Sequence, residues 1–428
     1  MTATRIVALV AFLLPGATAC GGDGPDTSLA AQDGRIATAH AGDRDWLTAE
    51  ELEAGRVDRG WREWVEGNVV GSQQRAGADS AAAPGSSSAA AAESGQGTAA
   101  SRPRPRPVGP PQSWDAISMQ TANSGAIALP VGGDDAEGPG VLRVQVLLDR
   151  AAFSPGIIDG YWGANTEKAV YWLQRREGLE PTGEVDETTW HRLAQLSGEP
   201  QQIVRTHRLT EDDVAGPFVD LPEEWYDRRD LDCQCYQSLA EKLAERFHTS
   251  EALLEQLNPD TDLNALQAGA TLNVPNVGDR MAPQGAAGDV ARIVISDGGR
   301  YLHALDGDGR LLYHFPATLG AAYSPSPEGE YHITGIAHDP EWHYQPDLLH
   351  GVDDDEPDAI LPAGPNNAVG TVWMALSRPH YGIHGTAAPE TIGYAVSNGC
   401  VRLTNWDVEF LAERVAQGTQ VEFRDIAR

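Results

Sequence analysis

A long stretch of low-complexity sequence separates the start of the chain from any segment that could build a core. Residues 67–140 are rich in Ala, Ser, Gly and Pro, with an Ala/Ser tract over 80–94 and alternating Arg and Pro over 102–107. Such a composition buries too little apolar surface to offset the chain entropy lost on folding, and Pro-rich stretches favour extended spacers. We therefore predict that residues 21–138 form a disordered tether and that the folded domains follow it.

The first 20 residues have the pattern of an export signal. Arg5 precedes an apolar run over residues 6–14, which is too short to span a bilayer. Small residues stand directly before Cys20, which resembles the bacterial lipobox and implies cleavage before Cys20 and lipidation of its thiol. Gly21 follows, rather than Asp, which favours outer-membrane sorting if the organism has two membranes. The alternative is an ordinary signal peptide cleaved near Ala19.

One segment of the tether has a helical pattern. Thr48 and Glu51 can form a capping box, and apolar positions that include Trp61 and Trp64 follow over residues 48–66. This predicted helix could dock on a partner or on the protein itself, and the sequence leaves both alternatives open.

Charge excludes some classes of partner. The formal net charge is −31, which argues against nucleic acid and anionic lipid surfaces as binding partners. An acidic run over residues 353–356 could bind calcium, could attract amine groups, or could be a solvated loop.

A helical unit is predicted over residues 139–197. Its pattern indicates a helix over 141–152, a second helix capped by Asn165 or Thr166, and a third that opens within 184–190. The matching positions are Gln145, Asp159, Gly160, Gly163, Thr166, Ala169, Gln174, Thr189 and Trp190. These residues resemble the three-helix peptidoglycan-binding domain, which implies that fold and binding to the cell wall; a purely structural role is the alternative.

The connector over residues 198–286 contains a second small unit, predicted over 232–277. Ser238 and Ser250 start two helical patterns, and 271–275 reads as a closing strand. The Leu-Asn-Pro and Val-Pro endings resemble a LysM-type module of βααβ form, with its first strand near the two cysteines of this unit. The resemblance implies an N-acetylglucosamine-containing glycan as ligand. The alternative is a helical spacer packed on the C-terminal part of the chain.

Those two cysteines, Cys233 and Cys235, are separated by one residue. In an extended segment their sulfurs do not easily reach disulfide geometry, and no second cysteine pair accompanies them to build a zinc site. We expect two unpaired or mutually strained thiols, with an intermolecular disulfide as the alternative.

The last part of the chain, residues 287–428, is β-rich. Turn-forming glycines separate apolar runs at 292–295, 301–305 and 311–315, which predicts successive hairpins. A further strand is predicted at 372–376. The end of the chain is helical, from a cap at Thr404 to a stop at Gly418.

Two residues in this part carry the chemistry. His384 stands in Ile-His-Gly-Thr and Cys400 in Ser-Asn-Gly-Cys-Val-Arg. A thiol is mostly protonated at neutral pH, and a nearby imidazole can take its proton. The flanking glycines leave room for a substrate carbonyl. The pair predicts acyl transfer through a thioester.

The motifs over 325–331, 361–370, 383–386 and 397–403 resemble, in order and spacing, the YkuD-type L,D-transpeptidase catalytic domain. The resemblance implies a multidomain protein with a mainly-β catalytic domain and a C-terminal helix. It also implies a peptidoglycan L,D-transpeptidase that releases D-alanine from a tetrapeptide stem and forms 3→3 cross-links without cofactor or metal. Carried over, Cys400 is the nucleophile and His384 the general base, with supporting residues Gly385, Thr386, Ser397, Asn398, Gly399 and Arg402.

Three alternatives accompany this interpretation. Asn398 stands where the family motif commonly has histidine, so the protein could be a non-catalytic wall-binding tether. Water or a protein lysine could replace the stem amine as acyl acceptor. His380 and His384 form H-x-x-x-H, a spacing that suits zinc on a helix, but Gly382 and the extended pattern argue against a helix here.

Overall fold

The computed structural model describes residues 117–124, 127–133, 136–198, 201–278, 289–346 and 356–425. All of them belong to one of the two units into which the chain divides, residues 36–428. The predicted lipidation site Cys20, the helix predicted over 48–66 and the acidic residues 353–355 lie outside the described residues. Within the described residues, no helix is both long and apolar enough to cross a membrane.

The helical unit surrounds one apolar core. Its helices are α1 (Met119–Asn123), α2 (Pro139–Arg150), α3 (Ala164–Glu177) and α4 (Glu187–Ser197). The prediction that Asn165 or Thr166 caps α3 is wrong, because Gly163 is the N-cap residue and offers no side chain. Asn165 instead donates from Nδ2 to the carbonyl oxygen of Ile392 (2.8 Å) in the catalytic domain.

The predicted tether is wrong over its last part. Ile117, Ala122 and Val131 are buried in the same core as α2 and α3. Asn123 also donates to the carbonyl oxygen of Val204 (2.7 Å) and accepts two backbone N–H bonds there. A few apolar residues at the right positions anchor this segment, although its average composition does not predict burial.

The middle unit is closed by two antiparallel strands. β1 (Val204–Arg208) pairs with β2 (Thr271–Pro275), so Val204 lies opposite Pro275. Between them lie α5 (Glu211–Val214), a 3₁₀ turn (Trp225–Asp230), α6 (Leu239–Arg246) and α7 (Glu251–Leu257). Ser238 and Ser250 cap α6 and α7 as predicted. The first strand, however, lies upstream of the cysteines, because residues 215–237, the connector insert, stand between β1 and the two helices.

Cys233 and Cys235 form a disulfide with each other, so the expectation of unpaired or strained thiols is wrong. That expectation applies to an extended strand, whereas the structure has no strand at these residues. Gln234 between them is buried and fixes the insert to the catalytic domain. Its N–H donates to Ala363 (2.9 Å), and its carbonyl oxygen accepts from the N–H of Asn366 (3.0 Å).

The catalytic domain contains an eight-stranded sheet of order β11-β10-β9-β6-β12-β3-β4-β5. The strands are β3 (Arg292–Ser296), β4 (Tyr301–Leu305), β5 (Leu311–Pro316), β6 (Gly329–His338), β9 (Val372–Leu376), β10 (Gly382–His384), β11 (Val401–Arg402) and β12 (Gln420–Arg424). The pairs β12–β3 and β10–β11 are parallel and the other neighbours antiparallel. The predicted hairpins over β3, β4 and β5 are confirmed.

Two smaller elements complete the domain. β7 (Trp342–Tyr344) and β8 (Ala359–Leu361) pair with each other apart from the large sheet. Helix α8 (Asn405–Ala412) starts after Thr404, whose side chain accepts the N–H of Asp407 as predicted. It ends before Gly418, so the predicted stop there is wrong, although Val415 is still buried.

The helical unit packs directly on the edge of the large sheet. The N–H of Ser154 donates to the carbonyl oxygen of His314 (2.8 Å), and its hydroxyl donates to Asp407 Oδ2 (2.8 Å). Beneath this contact, His303 Nε2 and His314 Nδ1 lie 3.0 Å apart on neighbouring strands. The unit that resembles a peptidoglycan-binding domain and the domain that carries the catalytic motifs therefore share buried contacts.

Candidate active site

Strand register brings His384 and Cys400 to one face of the sheet. β10 and β11 are parallel, with Ile383 opposite Val401 and His384 opposite Arg402. Cys400 directly precedes β11, two residues before Arg402, so strand alternation turns its side chain to the face of His384. Cys400 forms no disulfide and is 4% exposed, and its thiol donates to the carbonyl oxygen of His380 (3.7 Å).

The orientation of the His384 ring fixes its tautomer. Nδ1 lies 2.7 Å from the carbonyl oxygen of Gly385, which can only accept, so Nδ1 carries the proton. Nε2 is buried and has no hydrogen-bond partner among the described residues. The ring stacks on Trp373, with centroids 5.3 Å apart. Nε2 therefore keeps a free lone pair, and it is the atom of this ring that can accept a proton.

Burial keeps both candidate residues neutral at rest. Burial and the positive charge of Arg402 lower the pKa of His384 to about 3. Burial raises the pKa of Cys400 to about 11, against the opposing effects of a backbone hydrogen bond from Gly382 and of Arg402. The resting pair is therefore thiol and imidazole rather than thiolate and imidazolium. For this thiol to act as a nucleophile, its proton would have to be removed.

The loop that carries the cysteine is held by hydroxyl groups. Ser397 Oγ donates to the carbonyl oxygen of Cys400 (2.6 Å) and accepts the N–H of Gly399 (3.2 Å). Ser326 Oγ donates to the carbonyl oxygen of Gly399 (2.9 Å). Gly399 has φ +110°, and a Cβ there would lie 2.7 Å from the Tyr381 ring, so glycine is required.

Arg402 supports the site through its backbone and its charge. Its N–H donates to Thr318 and its carbonyl oxygen accepts from the N–H of Thr318 (2.9 and 3.1 Å). The side chain is 3% exposed. Its charge acts on both candidate residues, since it contributes to the low pKa of His384 and opposes the rise in the pKa of Cys400.

Asn398 has an unusual environment for an amide. It is 7% exposed, and neither its side-chain oxygen nor its nitrogen has a hydrogen-bond partner among the described residues. Its backbone carbonyl oxygen accepts from Ser324 Oγ (3.0 Å). Because unpaired buried amides are costly, the two amide atoms of Asn398 can still gain stabilisation from a hydrogen-bonding partner.

Sequence reasoning missed the residue that holds the Gly385–Thr386 loop. Asn405 Oδ1 accepts the N–H groups of Thr386 (3.1 Å) and Thr371 (3.2 Å). A Cβ on Gly385 would lie 2.1 Å from that oxygen. Asn405 was predicted only as part of the helix cap, and no local signal distinguishes the two roles.

The side-chain nitrogen of Asn405 reaches the middle unit. Asn405 Nδ2 donates to Glu245 Oε1 (3.1 Å), and the hydroxyl of Tyr236 donates to the same oxygen (3.0 Å). Burial raises the pKa of Glu245 to about 8. A hydrogen-bonded path therefore joins α6 to the loop that follows His384.

Aromatic side chains pack beside Cys400. Trp225 from the connector insert and Trp342 from β7 meet edge to face at 5.4 Å, and both belong to the apolar cluster that contains Cys400. The insert thus contributes to the surroundings of the thiol, which the sequence did not predict.

The described residues offer no set of metal ligands at the candidate site. Among the residues that the structure describes, no group of three or more His, Cys, Asp or Glu side chains could hold a metal ion. The proton of His384 Nδ1 is directed at Gly385, and His384 lies on a strand, so the H-x-x-x-H spacing with His380 does not form the helical zinc motif.

Comparisons with known proteins identify two domain families. The L,D-transpeptidase catalytic domain family, YkuD, matches residues 290–423. A peptidoglycan-binding domain family matches residues 137–193. Both agree with the resemblances found in the sequence motifs.

Curated relatives extend the match beyond the catalytic domain. The protein of Bacillus licheniformis that carries the name L,D-transpeptidase YkuD is 34% identical over 182 residues, which cover 42% of this chain and 90% of that protein. Its namesake in Bacillus subtilis (strain 168) is 32% identical over 179 residues, 42% of this chain and 89% of that protein.

Among solved structures, the crystal structure of the L,D-transpeptidase from Xylanimonas cellulosilytica aligns over 70% of this chain and 98% of that one, with 17% identity and a TM-score of 0.30. A score this low supports no structural argument. The conclusion rests on the family match and on the near-complete coverage of the Bacillus relatives: the chain belongs to the YkuD-type L,D-transpeptidase family.

Proposed function

We propose that the protein is a peptidoglycan L,D-transpeptidase that forms 3→3 cross-links through a thioester on Cys400. The observation that carries this proposal is the unpartnered Nε2 of a buried, neutral His384 on the same sheet face as an unpaired thiol. A base without a resting partner and a thiol that cannot ionise alone complement each other once a carbonyl carbon is present.

In the first half-reaction, Cys400 attacks the carbonyl of the third residue of a tetrapeptide stem while His384 Nε2 takes the thiol proton. The carbon–nitrogen bond to the terminal D-alanine breaks, and the amine leaves with the proton that His384 returns. Because the N–H of Gly399 is engaged by Ser397, we assign oxyanion stabilisation first to the N–H of Cys400.

In the second half-reaction, the amine of another stem attacks the thioester and restores the thiol. Ser397 and Arg402 hold the cysteine loop through these steps. The carbonyl oxygen of Gly385 keeps the proton on Nδ1 of His384, and Thr386 follows it in the same loop. Asn398 would pair with a peptide group of the donor stem.

The remaining parts would place this chemistry at the cell wall. The peptidoglycan-binding unit at 139–197 and the LysM-like module predicted over 232–277, with β1 upstream of it as the first strand, would hold glycan and stem peptide. β1 and β2 pair antiparallel, and α6, α7 and β2 follow one another after α5 and the connector insert, which supports the LysM assignment. Lipidation of Cys20 would anchor the protein to a membrane, facing the periplasm, with the tether giving it reach.

The test is analysis of products by mass spectrometry after incubation with disaccharide-tetrapeptide. The proposal predicts D-alanine release and a dimer linked between the third residues of two stems. A tripeptide alone would indicate water as acceptor, and attachment to a protein lysine would indicate a wall-protein ligase. Binding to sacculi without D-alanine release would favour the non-catalytic tether.

A further inference from the structure

The peptide group that joins Gly385 to Thr386 is held from two sides. Its carbonyl oxygen accepts the proton of His384 Nδ1 (2.7 Å), and its N–H donates to Asn405 Oδ1 (3.1 Å). In a trans peptide group the C=O and the N–H point in opposite directions, so the histidine and Asn405 lie on opposite sides of it. The orientation of this one group therefore decides whether the histidine keeps its proton on Nδ1 and its lone pair on Nε2.

Asn405 can hold that peptide group in only one orientation of its own amide. The residue is 1% exposed, and Oδ1 also accepts the N–H of Thr371 (3.2 Å). Nδ2 donates to the carbonyl oxygen of Pro365 (3.1 Å) and to Glu245 Oε1 (3.1 Å). A flipped amide would place donors against donors on one side and acceptors against acceptors on the other. The acceptors on the nitrogen side therefore determine where Asn405 presents its oxygen.

Glu245 is the one of these two acceptors that can change its charge. It belongs to α6 of the middle unit, which packs against α8 of the catalytic domain. Its Oε1 accepts from the hydroxyl of Tyr236 (3.0 Å) as well as from Asn405. A proton on this carboxyl group would therefore stand on Oε2 and leave both hydrogen bonds in place. A glutamine offers the same acceptor at Oε1 without a charge.

The surroundings of Glu245 favour its neutral form. Burial raises the pKa of its carboxyl group to about 8, against the opposing hydrogen bonds from Asn405 and Tyr236. The negative charges of Glu409 on α8 and Glu241 on α6 add to the rise in this pKa. The group is therefore mostly neutral near neutral pH and ionises as the pH rises through about 8.

Both cations of α6 are engaged away from this interface. Lys242 Nζ donates to the carbonyl oxygens of Asp212 and Ala215 (both 2.6 Å). Arg246 Nη1 pairs with Asp213 Oδ1 (2.7 Å). A further negative charge between α6 and α8 would thus have no cation of α6 to offset it.

Two neighbouring carboxylates hold the loop that precedes β9. Glu241 Oε1 accepts from Asn366 Nδ2 (2.7 Å), and Glu409 Oε1 accepts from the hydroxyl of Thr371 (2.6 Å). Ionisation of Glu245 would add a third negative charge beside these two, where little water screens the repulsion. That repulsion would move α6 away from α8 and withdraw Glu245 from the amide that it orients.

We propose that Glu245 is a positioning residue for His384, and that its neutral form supports catalysis. It orients the Asn405 amide, which holds the Gly385–Thr386 peptide group, and this group fixes the tautomer of the histidine. Helix α6 thus supports the base from outside the catalytic domain. The inference rests on the proposed function and assigns the middle unit a role that does not depend on glycan binding.

The experiment compares the pH dependence of acylation on the full-length chain. Single-turnover reaction with disaccharide-tetrapeptide is followed by intact mass between about pH 6 and 9.5, a range that spans the titration of a group with a pKa of about 8. The variants are Glu245→Gln and Glu245→Leu. Their matched controls are Glu255→Gln and Glu255→Leu, at an exposed position on α7 of the same unit. Dividing each rate by that of the control removes any titration of the catalytic pair or the donor.

We expect acylation by the wild type to fall about fivefold as the pH rises from about 7 to 9.5, the effect of one weakened hydrogen bond. No acid limb accompanies this fall. Glu245→Gln should stay within about twofold of its rate at neutral pH over the same range, because it keeps the acceptor and cannot ionise. Glu245→Leu, which removes the acceptor, should be about fivefold slower than Glu255→Leu already at neutral pH.

Two further variants should move the midpoint of the fall in opposite directions. Tyr236→Phe removes a hydrogen bond that stabilises the ionised form of Glu245, so it should raise the midpoint by about half a pH unit. Glu409→Gln removes a repelling charge and should lower the midpoint. A side chain that only fills space would produce neither shift.

An infrared spectrum gives a readout that does not need activity. A protonated carboxyl group has a C=O band that an ionised carboxylate lacks. The wild type near neutral pH should have one such band that Glu245→Gln lacks, and the band should disappear as the pH rises through about 8.

Equal pH profiles for the wild type and Glu245→Gln would overturn the inference, and so would acylation by Glu245→Leu at the rate of Glu255→Leu. If Glu245→Leu does not fold, the wild type and the glutamine variant still decide. Absence of the acyl-enzyme from the wild type at every pH would instead refute the proposed function, and this inference with it. Formation of the acyl-enzyme with the same pH profile in both proteins would refute this inference alone.

Discussion

The large sheet has buried histidines towards both of its edges. His384 lies on β10, next to the edge strand β11, whereas His303 and His314 lie on β4 and β5 at the opposite edge. Burial lowers the pKa of His384 and of His303 to about 3, and lowers the pKa of His314 well below its usual value. By burial and protonation state alone, the two regions are alike.

Their neighbours differ. His303 and His314 hydrogen-bond each other and stack with Tyr301 and Phe153, so they join the helical unit to the sheet. His384 has an unpaired thiol on its sheet face and an Nε2 without a partner in the described part of the chain. A buried, neutral histidine is therefore not a catalytic signal in itself, and the adjacent nucleophile makes the difference.

The largest expected effect is on catalysis and is confined to the edge of the sheet that carries His384. His384→Asn removes the base and should lower the rate of acylation by disaccharide-tetrapeptide by about 10³-fold. His303→Asn, far along the sheet, should change that rate by less than about threefold. Single-turnover intact mass measures both rates. Equal losses in the two variants would show that the His384 effect is structural.

The next largest effect is on stability and concerns the opposite edge of the sheet, at His303 and His314. His314→Ala removes a fully buried ring and leaves His303 Nε2 without its partner, so we expect a loss of about 3 kcal/mol in stability. Thermal unfolding monitored by circular dichroism measures it, with the exposed His191→Ala as the matched control. A midpoint unchanged from that control would contradict a structural role for the pair.

Acid should destabilise both ends together. The unfolded histidines bind protons below about pH 6.5, whereas the folded ones stay neutral to a much lower pH. Stability is thus fully present above pH 6.5 and falls as the pH drops towards 3, by about 1.4 kcal/mol per unit for each histidine. Unfolding midpoints across this range test it, and His303→Leu should flatten the slope.

The pH dependence of acylation tests the resting protonation states of His384 and Cys400. A neutral imidazole with a pKa of about 3 and a thiol with a pKa of about 11 produce no inflection near neutrality. We expect kcat/KM for acylation to vary by less than about twofold between pH 5 and 8. A bell-shaped profile with limbs near pH 6 and 8 would indicate a thiolate–imidazolium pair instead.

The smallest effect expected of a substitution concerns Asn398. Its amide has no partner at rest in the described structure, so Asn398→Leu should cost little or no stability. The same change should raise KM for the tetrapeptide donor about fivefold, because one hydrogen bond to the stem is lost. Asn398→Gln, which keeps an amide, is the matched variant. An unchanged KM in Asn398→Leu would remove Asn398 from substrate binding.

Local patterns predicted much of this molecule. The hairpins over β3, β4 and β5 follow from turn residues between apolar runs, and the caps at Ser238, Ser250 and Thr404 follow from side-chain chemistry. Small-residue settings identified His384 and Cys400 as a pair, and strand register places them on one face. Each of these signals is contained in a short stretch of sequence.

Features that depend on distant partners were not predictable. β1 pairs with β2 across an insertion, so no local pattern ties Thr206 to Asn273, which lie 67 residues apart. The Cys233–Cys235 disulfide forms on a segment that is not a strand, although its sequence pattern indicates an extended one. Two contacts arise only when separate units pack together. One is the hydrogen bond from Asn405 to Glu245, and the other is the packing of Trp225 in the apolar cluster that contains Cys400.

The proposed function depends on one covalent intermediate, a thioester between Cys400 and a donor stem. The most direct measurement is the intact mass of the chain, begun after Cys20, incubated with disaccharide-tetrapeptide, for the wild type and Cys400→Ala in parallel. The account predicts an adduct equal to the donor minus D-alanine on the wild type, and none on Cys400→Ala. An adduct of that mass on Cys400→Ala, or its absence from wild-type protein that still binds sacculi, would contradict it.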